Sequence, residues 1–427
     1  MARGGDRNPP GHMDRRQFIV RSLGSSAACG LPGAGFGSDE AASPPDALRV
    51  DADFPGGNVR LGGIRKDGIE VAPDLRDTKG NWFYWNFRVR GAGGRTLRFE
   101  FPNERLIGAR GPAISVDGGR TWRWQGEAFP ASASFEHAFD GMVAETRFAM
   151  TFPYTVADLD EFLRGREGKG NLERQVLCRS RKGREIPLLK LGRLDDGFSC
   201  SLLVTARQHA CETMASFVVE GLIDAVLADD ATGQWLREHA RIHVVPLTDF
   251  DGVEDGDQGK NRTPYDHNRD YGEGEDPLYP EVGEIRRLAP IWSGSRPWVF
   301  MDMHCPYIRG GINEVVYQVG SVDPKHWERQ QVFARLVEAE RRGALLYSPS
   351  DDLPFGVSWN VAAAGLAKTA ASWMSRQAGN ELSTTWEIPY ANAGGAEVNV
   401  TSCRDFGAGL AAAVRRYLGE RVLREGA

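Results

Sequence analysis

Four short segments of this 427-residue chain carry side chains that can do chemistry together. In His209-Ala210-Cys211-Glu212 an imidazole and a carboxylate three residues apart across a tight turn can point at one ion. Alone, that spacing is common on surface turns. His304 closes the apolar run Trp298-Val299-Phe300-Met301-Asp302-Met303 and supplies a second imidazole. Two nitrogens and one carboxylate leave a fourth position for water, the ligand set of a catalytic rather than a structural zinc. The third segment is the charge-dense loop 249–270. Three readings compete for it: a calcium site, although its order does not fit the twelve-residue calcium loop; a solvated loop; or a clamp in which Arg262, Asn268 and Arg269 hold a carboxylate through paired hydrogen bonds. The fourth segment, Thr384-Thr385-Trp386-Glu387, places a lone carboxylate at the end of an apolar strand, where a charge needs a partner or a task. Either a surface ion pair satisfies Glu387, or beside a metal it takes a proton from water.

The elements that must position these groups follow from the hydrophobic pattern. Residues 201–206, 242–247, 298–301 and 383–386 read as strands, 214–227 as an amphipathic helix and 406–423 as a closing helix. Strands alternating with helices predict an α/β domain over 156–427, a mixed, mostly parallel sheet flanked by helices. The carboxyl ends of such strands line one crevice, so clusters far apart in sequence converge there. The region 46–155 has another character, with short alternating segments broken by Gly, Pro and Asp and rich in aromatics, such as Trp82-Phe83-Tyr84-Trp85 and Thr96-Leu97-Arg98-Phe99. It is predicted to be a small antiparallel β-sandwich whose rings form its core rather than a glycan-binding surface.

Composition narrows the function further. A formal net charge of -6 excludes a broad basic footprint for nucleic acid. Six scattered cysteines without a CxxC pair argue against a structural zinc finger or a disulfide scaffold. No apolar run is long enough for a transmembrane helix. Residues 1–45 read as a leader: Arg15-Arg16-Gln17-Phe18 followed by a small-residue stretch resembles a twin-arginine export signal, which implies a periplasmic or otherwise exported protein, with Met13 as an alternative start.

His209-x-x-Glu212, the loop from Asp251-Gly252-Val253 to Asp266-x-Asn268-Arg269, Asp302-x-His304 and Thr385-x-Glu387 stand in the order found in the zinc metallocarboxypeptidases. The chain resembles the cytosolic carboxypeptidase-like subfamily, also in its Trp82 to Trp85 strand and its Phe148 to Thr155 junction. The resemblance implies a metallocarboxypeptidase-like fold and one zinc per chain, held by His209, Glu212 and His304. It implies Glu387 as general base toward the attacking water and later proton donor to the departing amine. Asn268 and Arg269 would hold the C-terminal carboxylate of a peptide or protein substrate, and Asp266 would orient His209. Arg262, with Lys260 as the alternative, would polarise the scissile carbonyl. The base of the specificity pocket falls near Ala371, leaving room for a bulky apolar side chain, while Lys260 and Lys368 keep an acidic one open. Cys211 and Cys305 are read as inert neighbours of the ligands, and His267 as a loop residue without a direct role. The implied reaction is hydrolysis of the C-terminal peptide bond. A zinc amidohydrolase acting on acylamino acids or cell-wall peptides and a non-catalytic peptide- or glycan-binding relative are the alternatives.

Overall fold

The computed structural model describes residues 47–425 apart from 67, 295, 363 and 364; the leader read over residues 1–45 lies outside them. Among the described residues, nine short strands precede the first α-helix: β1 (Arg49–Asp51), β2 (Arg60–Ile64), β3 (Gly68–Ala72), β4 (Asn86–Arg90), β5 (Thr96–Glu100), β6 (Ala113–Ser115), β7 (Arg123–Trp124), β8 (Ser134–Ala138) and β9 (Glu145–Ala149). They form two sheets, β1-β4-β9-β6-β7 and β2-β3-β5-β8, with antiparallel pairing except where β3 lies beside β5. Along β5 exposed Thr96 and Arg98 alternate with buried Leu97 and Phe99, so the rings fall on one face. Phe87 of one sheet meets Phe99 of the other at 5.5 Å between centroids, and Phe135 meets Phe148 at 5.3 Å. The two inner faces therefore interdigitate around an aromatic core. Trp85 is fully buried there, whereas Trp82 is only partly covered and lies toward the second half of the chain.

That second half is built on β10 (Glu173–Arg179), β11 (Glu185–Gly192), β12 (Cys200–Ala206), β13 (Ala240–Val245), β14 (Trp298–His304), β15 (Tyr317–Val319) and β16 (Asn380–Glu387), in the order β10-β11-β13-β12-β14-β16-β15. The central strands β13, β12, β14 and β16 run parallel, and the outer pairings are antiparallel. Every residue of β12 and β14 is buried, as expected of strands covered on both faces and written as near-continuous apolar runs. Helix Thr213–Leu227 packs against the closing helix Val400–Glu425 with Gly221 and Gly407 at the crossing. A Cβ at either glycine would collide with the carbonyl oxygen of Arg404 or Val218 on the facing helix. The closing helix begins at Val400 rather than at Phe406 because Asn399 and Ser402 cap it reciprocally. Ser402 N donates to Asn399 Oδ1 and Asn399 N donates to Ser402 Oγ, both at 2.9 Å.

The two halves meet beside the carboxyl edge of the sheet. Gln258 Oε1 accepts from Phe83 N and Tyr84 N at 3.1 and 2.9 Å, and Arg76 pairs with Asp257.

Candidate active site

Glu212 stands at the N-cap of helix Thr213–Leu227, directly after the turn that ends β12, and His304 is the last residue of the neighbouring β14. Ligand atoms of His209, Glu212 and His304 all lie within 4.8 Å of one another, and the three residues are 9%, 0% and 2% exposed. The inward-facing atoms are the two imidazole Nδ1 atoms, 3.3 Å apart, with Glu212 Oε1 at 2.9 Å from His209 Nδ1 and Oε2 at 2.9 Å from His304 Nδ1. Glu212 Oε2 makes no hydrogen bond of acceptable geometry, although it is buried. Converging nitrogens and an under-satisfied buried carboxylate oxygen form a donor set suited to a divalent zinc.

The outward edges of both rings face carboxylates. His304 Nε2 lies 2.8 Å from Asp302 Oδ2, and His209 Nε2 lies 3.5 Å from Asp266 Oδ1. A carboxylate behind each ring selects the tautomer with its proton on Nε2, leaving the Nδ1 lone pair for a metal. Burial disfavours charge on both rings, yet Glu212 and Asp266 hold His209 above its ordinary value, and Asp302 and Glu212 hold His304 well above it. Against its own burial, Glu212 is held well below the usual carboxylate range by His209, Lys260 and His304. In each case a neighbouring opposite charge outweighs desolvation.

The parallel register of β14 and β16 sets His304 beside Glu387. Glu387 is 7% exposed, and its Oε2 has no hydrogen-bond partner. Burial raises its carboxyl to about 7, against the opposing pull of Lys260 and His304. The surface ion pair considered for Glu387 is therefore absent among the described residues.

Of the other residues singled out from the sequence, Asp266, Asn268 and Lys260 reach this centre. Asn268 Oδ1 accepts from Ala370 N at 2.9 Å, which turns its Nδ2 toward His304 Nε2 at 3.3 Å. Because that ring N–H is committed to Asp302, the amide N–H groups of Asn268 stay available to an incoming acceptor. Arg269 is half-buried, donates to Asn268 O at 3.0 Å, and acts with His209 to hold Asp266 low despite burial. Ala371 is half-buried in the short helix Ala370–Met374 that Asn268 caps from outside. Lys260 Nζ lies 2.8 Å from Glu212 Oε1 and donates to Cys305 O at 2.8 Å.

Arg262 is placed differently from the expectation. Its guanidinium is spent on Asp249 at 2.9 Å, Asp257 at 3.0 Å and Asp77 at 3.6 Å, so it ties the loop to the sandwich and leaves Lys260 as the cation that contacts a proposed ligand. Lys368 turns away to Glu275 at 2.7 Å. The loop's acidic residues are likewise occupied, Asp251 and Asp255 by Arg184, and the loop contributes to no second metal cluster among the described residues. His267 is buried within the loop; its Nε2 lies 2.7 Å from Glu281 Oε1 and its ring stacks on Tyr279. Cys211 and Cys305 are buried, and burial pushes the Cys211 thiol up to about 12 and the Cys305 thiol well above its usual value. Protonated thiols are poor zinc competitors.

Three residues support the site in roles that the sequence alone does not assign. Asp302 left a signal, since residues i and i+2 of a strand share a face and a carboxylate two before a histidine can reach its ring. Thr205, its register partner on β12, fixes it by donating to Oδ1 at 2.6 Å. Asp302→Asn is expected to weaken zinc affinity about 10- to 100-fold, measured by chelator competition; unchanged affinity would remove Asp302 from the centre. Arg207 and Gln258 left no signal. Arg207 adopts φ 60, a strained value for a residue with a side chain, and its buried guanidinium donates to Ala210 O and Tyr154 O at 2.9 Å, bracing the ligand turn from behind. Gln258 holds the same turn, its carbonyl accepting from Cys211 N at 3.1 Å.

A sheet with a parallel centre, carrying two imidazoles and a carboxylate at its rim and a buried acid on the next strand, defines the metallocarboxypeptidase class of fold. A metallo-carboxypeptidase of Burkholderia cenocepacia shares it with a TM-score of 0.72 at 20% identity, over 88% of this chain and 100% of that one. Residues 166–279 match the zinc carboxypeptidase family. An uncharacterised protein of Zymomonas mobilis is 26% identical over 250 residues, 56% of this chain and 63% of its own length. Cytosolic carboxypeptidase 6 of Mus musculus is 25% identical over 214 residues, 48% of this chain and 39% of its own length. This chain thus spans less than two thirds of the curated relatives it matches.

Proposed function

We propose that the protein is a zinc-dependent carboxypeptidase that hydrolyses the C-terminal peptide bond of a peptide or protein. The observation that carries this reading is Glu387, a buried carboxylate with an unpartnered oxygen, side by side with His304 of a His-Glu-His cluster. His209, Glu212 and His304 would hold one zinc per chain. Bound zinc supplies Lewis-acid polarisation and brings the pKa of water down to about 7.

The chain's own groups do the rest. Glu387 takes a proton from the attacking water at its free Oε2 and returns it to the departing amine. Burial, which raises its carboxyl, helps it to hold the proton between the two transfers. Arg269 and the amide N–H groups of Asn268 donate to the terminal carboxylate, which restricts cleavage to the last residue, and Ala371 leaves space for that residue's side chain. Lys260 provides positive charge beside Glu212 for the developing oxyanion. Asp266 and Asp302 keep both imidazoles turned inward.

Zinc content measured together with mass-spectrometric product analysis on a peptide library tests the reading. The expected result is one zinc per chain and loss of single C-terminal residues, abolished by chelation and restored by zinc. Hydrolysis confined to acylamino acids or other non-peptide amides would instead identify an amidohydrolase. Retained peptide binding without any turnover would identify a non-catalytic relative.

A further inference from the structure

We propose that Trp82 and Tyr307 form an aromatic subsite for the side chain immediately preceding the scissile bond, making the N-terminal sandwich part of the active site and apolar or aromatic penultimate residues its preferred substrate class. The inference rests on the carboxypeptidase reading above. Trp82 is the member of the Trp82-Phe83-Tyr84-Trp85 run that the sandwich core leaves partly uncovered. Its ring lies 5.8 Å from that of Tyr307, three residues beyond His304, and 5.5 Å from Lys260 Nζ. Phe83 backs both rings, at 5.8 and 5.0 Å. Their polar ends are committed, Trp82 Nε1 to Lys79 O and Tyr307 Oη to Asn81 O, each at 3.0 Å. Rigid rings with satisfied polar ends offer apolar area at low entropic cost, as aromatic contact residues do in binding sites generally.

The position of the pair follows from His304. Glu212 lies at Nδ1 of that ring, with Lys260 against Glu212 and Trp82 against Lys260, whereas Asn268 lies at Nε2. A peptide anchored by its terminal carboxylate at Asn268 and Arg269, with its last bond over the cluster, continues toward Lys260 and the two rings. Lys260 does not make this an acidic subsite, because its ammonium lies at the cluster, 2.8 Å from Glu212 Oε1, where its charge serves the scissile carbonyl rather than the side chain before it.

The test is kcat/KM of the zinc-loaded full chain on N-acetylated tripeptides that differ only at the penultimate residue, set to Ala, Glu or Phe. The wild type should favour Phe over Ala by about 5- to 10-fold, and Trp82→Ala should remove most of that preference while changing the Ala substrate less than about twofold. Trp82→Phe should keep most of it. Equal wild-type rates, or a preference for Glu, overturn the proposal without any variant. So does a uniform loss on all substrates in Trp82→Ala, which would mark the ring as merely structural. Should Trp82→Ala not fold, Tyr307→Leu and the wild-type profile decide in the same way. A wild type that releases no C-terminal residue from any peptide instead defeats the carboxypeptidase reading, and this proposal with it.

Discussion

Replacing Glu387 by glutamine should lower kcat about 10²- to 10⁴-fold while leaving zinc content unchanged, the range expected when a positioned base is removed. The substitution keeps the shape of the side chain and takes away only its capacity to accept a proton and pass it on. Glu387 is not among the three converging ligand groups, so the metal should stay. Its burial gives the experiment its sharpness: water cannot easily stand in for a base that is 7% exposed at the end of a central strand. Metal analysis and steady-state kinetics on the same preparation read both quantities. Undiminished turnover would take Glu387 out of the mechanism, and loss of zinc with activity would make it a ligand instead.

The second large effect separates the two cations of the loop. In the zinc-loaded protein, where the metal would balance Glu212, Lys260→Met is expected to cost about 3 to 4 kcal/mol of transition-state stabilisation, roughly 10²- to 10³-fold in kcat. Arg262→Met should instead cost about 3 to 5 kcal/mol of folding stability, because the Asp249 and Asp257 carboxylates would then lie buried without their main countercharge. Denaturant midpoints and kcat measured on both variants distinguish the roles. A stable Arg262→Met with lost turnover, beside an active Lys260→Met, would restore Arg262 as the group that polarises the carbonyl. The sequence could not rank these two because they are two positions apart in one loop. What separates them is the company each keeps: Glu212 and the Cys305 carbonyl around one, and three aspartates around the other.

Legibility in the sequence tracked how local each signal is. The buried strands before His209 and His304 announce themselves as apolar runs, and strand ends in an α/β sheet are where chemistry gathers. Hydrophobic periodicity starts the closing helix only at Phe406, because Val400 to Asp405 adds little of it; its cap, Asn399 with Ser402, is the stronger local cue. Trp82 misled for the opposite reason. Within its aromatic run it looks like core, yet the ring packs against Tyr307, more than two hundred positions away in the chain.

What the sequence determined by itself was the inventory: a His and a Glu sharing one turn, a His and an acid each closing an apolar strand, and a charged loop between them. Those are properties of neighbouring residues, and short-range geometry suffices to state them. Only the tertiary structure decided which groups face one another. It set Asp302 and Asp266 behind the imidazoles, spent Arg262 on three aspartates, turned Lys260 to Glu212 and brought Trp82 against Lys260 and Tyr307. The reason is physical: a charge or ring takes its role from what remains unsatisfied after the chain has packed, and that balance is struck between segments no local pattern connects.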